Sequence, residues 1–247
     1  RLGLSNARGS LFDVPALLHA GKWAIGLVPV IILTLIEINA SPNVAQRSVN
    51  LSLSLPNNHA AQVEAGEQLA AHDRLAESAL KFQRALELAP ADHATRVRLA
   101  EVLHQRGRIN NALQECALVM QVQPDNIDSR LLASRMLAES GNPVAAENQL
   151  REVLARKPDL VDARTNLGIV LAMVGRLDES VTEFSRSLKI RSDPDTHFNL
   201  ANVLTQQGNR NEARRHYLQA LELRPDFAAA DRALSQLRHE IPGPDTL

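Results

Sequence analysis

The side chains best suited to catalysis or metal binding are eight histidines, which are scattered singly along the chain. They are His19, His59, His72, His93, His104, His197, His216 and His239. The sequence contains no H-E-x-x-H pattern, no glycine-rich phosphate loop and no G-x-S-x-G turn. Isolated histidines of this kind are usually solvated surface residues. We therefore predict no catalytic residue, no metal site, no cofactor and no small-molecule substrate, and we interpret the chain as a non-enzyme.

A single cysteine, Cys116, excludes an internal disulfide and a cysteine-based zinc site. Phe82 precedes it and Phe184 follows it at multiples of the interval that separates the recurring prolines described below. The three residues therefore occupy equivalent positions in a sequence repeat. No basic side chain stands at helical spacing to lower the pKa of the thiol. We expect Cys116 to be a small buried apolar residue.

The composition favours helices. Hydrophobic residues make up 45% of the chain and aromatic residues only 3%, while strong helix formers dominate from about residue 60 onward. The formal net charge is −1, so no basic field attracts nucleic acid, and aromatic stacking platforms are scarce. We predict an all-α protein that does not bind nucleic acid.

Residues that typically end helices recur along the chain at a nearly constant interval. Prolines stand at Pro56, Pro90, Pro124 and Pro158, followed by Ser192 and, after one deletion near Asp193-Pro194, by Pro225. Midway between successive marks comes a turn position, occupied by Asp73, Gly107, Gly141, Gly175 and Gly208. Glycine supplies the left-handed conformation that ends one helix, and proline ends the next. Apolar residues between these marks have helical spacing, so each unit predicts a helix, a turn and a second helix.

These units resemble tetratricopeptide repeats, whose period of about 34 residues equals the interval between the prolines. The clearest matches are Asn166-Leu167-Gly168 with Gly175 and Phe184, and residues 199–226. The resemblance implies a right-handed superhelical array of five helix-turn-helix repeats over residues 57–226. The uncharged run Trp23–Ile36 separately predicts an N-terminal hydrophobic helix before the array. The five repeats are predicted at 57–90, 91–124, 125–158, 159–192 and 193–225, with a capping helix and tail at 227–247.

Most units depart from the family pattern where a large aromatic residue is expected in the first helix. Gln62, Arg96, Arg130, Arg164 and His197 stand there instead. The three arginines could form a basic ridge, but the neighbouring Asp128 and Asp162 suggest local neutralisation.

The resemblance also implies a concave groove, lined by the first helices, that holds a peptide or protein segment. Asparagine side chains there could pair with the backbone of an extended peptide, or merely solvate the wall. Lysines are too few to favour capture of a C-terminal carboxylate. The predicted groove residues are Glu101, Arg135, Thr165, Asn166, Phe198, Asn199 and Asn202.

The N-terminal part differs in character from the repeats. Residues 1–22 form a flanking segment, and residues 23–38 contain the uncharged run Trp23–Ile36. Three readings compete for this run: a single-pass membrane anchor, a cleaved signal peptide with Ser41 as the new first residue, or a buried helix or fragment of a larger protein. If the run spans a membrane, the basic residues before it place the array on the non-cytoplasmic side, the periplasm in a bacterium.

Residues 39–56 are rich in Asn, Ser and Pro and predict a linker with one weak extended piece at Val49–Leu55. We predict a membrane-tethered scaffold that binds protein segments in the groove. The alternatives are the C-terminal regulatory domain of a polytopic membrane enzyme, such as a glycosyltransferase, and a secreted or periplasmic repeat protein with a cleaved signal.

Overall fold

The computed structural model describes residues 44–239, and within this range the chain forms twelve α-helices and no β-strand. For these residues the prediction of an all-α protein is confirmed. The chain divides into two compact units between Thr95 and Arg96.

The first unit contains α1 (Val44–Ser54), α2 (His59–Ala71) and α3 (Leu75–Leu88), and α4 (His93–Gln105) crosses the boundary into the second unit. The second unit continues with α5 (Ile109–Val122), α6 (Ile127–Glu139), α7 (Pro143–Arg156), α8 (Val161–Met173), α9 (Leu177–Ile190), α10 (Pro194–Gln206), α11 (Arg210–Leu223) and α12 (Ala228–His239). We number the helix pairs as hairpins 1 to 5: α2–α3, α4–α5, α6–α7, α8–α9 and α10–α11. Each hairpin lies within one of the five predicted repeat segments, and α12 follows them.

The turns within the hairpins follow the glycine pattern. Gly107, Gly141, Gly175 and Gly208 have φ between 72° and 79°, and Asp73 has φ 58°. This is the left-handed region, which glycine enters without steric cost. The next amide then closes the turn, as Arg108 N does by donating to the Leu103 carbonyl at 2.8 Å.

A glycine and a phenylalanine set the closest approach of the two helices in hairpins 1 and 4. A Cβ atom on Gly168 would lie 2.7 Å from Cε1 of Phe184, and one on Gly66 would lie 2.7 Å from Cε1 of Phe82. Both phenylalanines are fully buried. The ring therefore occupies the space that any larger side chain on the first helix would need.

The predicted linker at 39–56 is wrong in part, because α1 occupies most of it and no extended piece forms at 49–55. Ser48 and Ser52 lie one helical turn apart and are buried. The Ser52 carbonyl accepts a hydrogen bond of 2.8 Å from Nε2 of Gln62 on α2. The alternating apolar run resembled a strand, but the partner that these residues find is a helix.

The predicted anchor or signal at residues 23–38 lies outside the described residues. None of the helices between residues 44 and 239 is long and apolar enough to cross a membrane.

Candidate binding surface

The first helices of hairpins 3, 4 and 5 each present a row of side chains at spacing i, i+3 and i+7, which lie on one side of a helix. We call these nine residues the first-helix face. They are Asp128, Leu131 and Arg135 on α6, Asp162, Thr165 and Ile169 on α8, and Asp195, Phe198 and Asn202 on α10.

An open depression of about 580 Å³ lies at the N-terminal ends of α6 and α8. Its apolar lining is Ile127, Leu131 and Leu160, and its charged lining includes Asp125, Asp128, Lys157 and Asp162. Three of its residues belong to the first-helix face. The depression therefore adjoins that face, and its lining combines apolar and charged side chains.

Two ion pairs fix the edge of the face. Each one joins the end of a second helix to the start of the first helix in the same hairpin. Arg191 contacts Asp162 at 3.2 Å, and Arg224 contacts Asp195 at 2.6 Å. Both aspartates lie in the first turn of a helix, where negative charge also meets the positive end of the helix dipole. The hydrogen bonds that Arg224 donates to Asp195 raise the pKa of Arg224, so this guanidinium stays charged. These exposed pairs position the edge of the face but contribute little stability.

The seven predicted groove residues all lie on first helices: Glu101 on α4, Arg135 on α6, Thr165 and Asn166 on α8, and Phe198, Asn199 and Asn202 on α10. Glu101 and Arg135 are exposed, and the other five are partly buried. Whether they bind a ligand stays a prediction.

Two of them connect helices to one another through hydrogen bonds. The Thr165 hydroxyl lies 2.9 Å from the Ser187 hydroxyl and 3.1 Å from the Thr196 hydroxyl. Oδ1 of Asn202 accepts a 2.7 Å hydrogen bond from the hydroxyl of Tyr217. These two side chains therefore have structural partners that limit what they can offer a ligand.

Phe198 belongs to an aromatic cluster. Its ring centroid lies 6.0 Å from that of Tyr217 and 5.0 Å from that of Phe227, and Arg224 stacks on Phe227 at 4.6 Å. By contrast, the side chains of Arg135, Asn166 and Asn199 make no hydrogen bond to any part of the chain between residues 44 and 239.

Four of the five departures from the family pattern, all except Gln62, form contacts between the two helices of a hairpin. We call these contacts the crossing pairs, and the two partners are separated by the same number of positions in every pair. They are Arg96–Glu115 at 2.8 Å, Arg130–Gln149 at 2.6 Å, Arg164–Glu183 at 2.7 Å and His197–His216 at 2.9 Å. The expected basic ridge or neutralisation by Asp128 and Asp162 is wrong, because each arginine turns toward the second helix of its own hairpin. The constant separation was the signal in the sequence.

The prediction of solvated histidines is wrong for His197, which is 8% exposed. Its ring stacks on that of His216, with centroids 5.1 Å apart. The prediction for Cys116 is correct: the side chain is buried, and burial raises the pKa of the thiol to about 12. A thiol with this pKa is inert near neutral pH.

The repeated helical hairpins and the row of first-helix side chains define a helical-repeat protein. Residues 159–226 match a family model described as a tetratricopeptide repeat. Over these residues the chain is similar to tetratricopeptide repeat proteins, and its right-handed superhelical path stays a prediction.

Solved structures with this fold include TTC0263, a thermophilic tetratricopeptide repeat protein of Thermus thermophilus. It is 21% identical, with a TM-score of 0.62 over 74% of this chain and 100% of that one. YrrB, a repeat protein with an unusual peptide-binding site, is 18% identical, with a TM-score of 0.57 over 77% and 99%. A repeat protein of Parabacteroides merdae ATCC 43184 is 16% identical, with a TM-score of 0.64 over 73% and 72%. No curated protein matches the sequence.

Proposed function

We propose that this chain is a protein-interaction scaffold that binds an extended peptide or protein segment along its first-helix face. The observation that carries the proposal is the depression of about 580 Å³ that three residues of that face help to line. Its apolar lining can hold an aliphatic side chain, and its charged lining can hold polar groups. We propose binding without catalysis, since the sequence has no catalytic motif.

The side-chain amides of Asn166 and Asn199 support the same proposal. They occupy equivalent places on α8 and α10, are partly exposed, and keep their hydrogen-bonding groups available. An asparagine amide can donate to a backbone carbonyl and accept from a backbone N–H at the same time. Because the helices that carry the two residues are already folded, binding orders little of the protein. YrrB, which shares the fold, is described as having a peptide-binding site.

The experiment selects peptides from a displayed random library with the full chain as bait, and then measures the Kd of one synthetic peptide. We expect the double variant Asn166→Ala/Asn199→Ala to bind about tenfold or more weakly, since a hydrogen bond contributes roughly 0.5–1.5 kcal/mol. Asn202 is left unchanged because its amide holds Tyr217.

The matched control replaces two exposed asparagines on second helices, Asn148→Ala/Asn211→Ala. This variant is expected to bind like the wild type. Equal affinities for the wild type and both double variants would show that the Asn166 and Asn199 amides beside the first-helix face do not hold the peptide. The absence of any peptide enriched over an unrelated bait would contradict the proposed binding itself.

We also propose that residues 23–38 tether the array to a membrane and place it on the non-cytoplasmic side, the periplasm in a bacterium. The support is the uncharged run Trp23–Ile36 and the basic residues that precede it. The intact mass of the exported protein tests this idea. A mature chain that begins at Ser41 would exclude a retained anchor.

A further inference from the structure

Two imidazole rings contact each other directly between the helices of hairpin 5. Nδ1 of His197 on α10 lies 2.9 Å from Nδ1 of His216 on α11. In the neutral pair one Nδ1 must carry a proton and donate while the other accepts. The rings are also stacked, with an interplanar angle of 28°.

The same crossing position carries different chemistry in the other hairpins of the second unit. It holds the ion pairs Arg96–Glu115 and Arg164–Glu183 and the hydrogen bond from Arg130 to Gln149. Histidine is the side-chain type whose ordinary pKa, near 6.5, gives it a charge change in the mildly acidic range.

The surroundings of the histidine pair favour its neutral form. Burial lowers the pKa of both His197 and His216. Positive charge on His197 and on Arg215 lowers the pKa of His216 further. The nearby carboxylates act in the opposite direction, Asp193 on His197 and Glu212 on His216.

The remaining polar contact of the pair is the Ser192 hydroxyl, which lies 3.2 Å from Nε2 of His197. In the part of the chain that the structure describes, neither α9 nor α12 supplies a charged group to the interactions that shift the two pKa values. The net effect of the environment is therefore a pair that resists protonation.

We propose that the His197–His216 contact is an acid-sensitive clasp, which holds α10 against α11 at neutral pH and loosens hairpin 5 on mild acidification. One proton can be accepted on the outer nitrogen of the donating ring without loss of the contact. A second proton must go to the accepting Nδ1, which then faces another donor 2.9 Å away. The clasp therefore opens when both rings are charged.

The direction of the pH dependence follows from proton linkage. In the unfolded chain each histidine has its ordinary pKa, whereas in the folded chain both pKa values are lowered. Below a pH of about 6.5 the unfolded chain binds more protons than the folded one, so acid favours unfolding. The stability contributed by the pair is complete above about pH 6.5 and decreases as the pH falls below it.

The test replaces the clasp with the pair that hairpin 4 already uses, in the double variant His197→Arg/His216→Glu. Amide hydrogen exchange of α10 and α11 in the full chain, corrected for the intrinsic exchange rate, gives the opening equilibrium at pH 7.5 and pH 5.0. For the wild type we expect the opening equilibrium constant to increase about 30-fold between pH 7.5 and pH 5.0. This is the increase for one proton that binds a histidine of the open hairpin and not of the closed one. The double variant should lose this increase, while His72→Gln, which changes an exposed histidine, should keep it.

A second measurement needs no variant that could misfold. The imidazole carbon resonances of wild-type His197 and His216 are followed through a pH titration by NMR. Midpoints below about 6.5 for both rings support the clasp. A midpoint at or above that value for either ring, or an equal pH dependence of opening in the wild type and the double variant, would overturn it.

Discussion

Hairpins 4 and 5 have helices of the same lengths, 13 and 14 residues, yet they fill the space between these helices differently. Hairpin 4 uses Gly168 against Phe184, and hairpin 5 uses Ala201 against Tyr217. All four residues are buried. The fold thus limits the combined volume of the two facing side chains, and either position can carry the larger part of it.

The two hairpins also satisfy their polar groups in different ways. In hairpin 4 the Ser180 hydroxyl donates to the Gly168 carbonyl at 2.7 Å, as Ser78 does to Gly66 in hairpin 1. Hairpin 5 has Ala213 at the equivalent place. Its polar contact comes instead from the Tyr217 hydroxyl. In hairpins 1 and 4 a core hydroxyl and a glycine carbonyl therefore occur together.

The largest expected effect tests how much hairpin 4 depends on its ring. Phe184→Ala should lower the free energy of unfolding by about 3–5 kcal/mol, because it leaves a cavity against Gly168 that no neighbour can fill. Urea denaturation of the full chain measures the change. Leu218→Ala on α11 is the control, since Leu218 is 41% exposed and its loss should be small. Equal losses for the two variants would contradict the assigned core.

A smaller effect tests whether volume is shared between the facing positions. Gly168→Ala should cost about 1–3 kcal/mol through overpacking, although alanine is the better helix former. Adding Phe184→Leu should recover part of this loss, since hairpin 3 already combines Ser134 with Leu150. A double-mutant cycle by urea denaturation measures the coupling. Strictly additive losses would show that the two positions do not share a volume.

Much of this fold could be predicted from the glycines and prolines that end helices. The glycines at Gly107, Gly141, Gly175 and Gly208 predicted turns with positive φ, and each has one. The proline period predicted where the second helices end. These signals are local, because a backbone conformation that most side chains cannot adopt requires a particular residue type, such as glycine or proline, at that position.

The failures concern features that depend on partners distant in sequence. The helix α1 forms where an alternating pattern suggested an extended piece, because Ser48 and Ser52 pack against α2. His197 is buried because His216 lies opposite it on the next helix. The number of positions between His197 and His216 is the same as in the three arginine pairs. A comparison of first-helix positions with second-helix positions at this separation could therefore have predicted the contact from the sequence.

The candidate site was predicted only in outline. The repeat register placed Thr165 and Asn202 on first helices, where they lie. It gave no indication that Thr165 would contact Ser187, or that Asn202 would accept from Tyr217. Such contacts depend on which side chain the neighbouring helix presents, and a family pattern leaves that choice free.

The smallest expected effect tests whether Asn202 is a structural residue of hairpin 5. Tyr217→Phe removes the donor to Asn202 and should cost about 0.5–1.5 kcal/mol in urea denaturation. Asn202→Ala should cost a similar amount, and the double variant should cost less than the sum, because both single changes break one hydrogen bond. If Asn202 served only a ligand, Tyr217→Phe would leave the effect of Asn202→Ala on stability unchanged. The same pair of variants then separates the two asparagines of α10: Asn202 would stabilise the hairpin, and Asn199, one turn before it, would remain available to a bound segment.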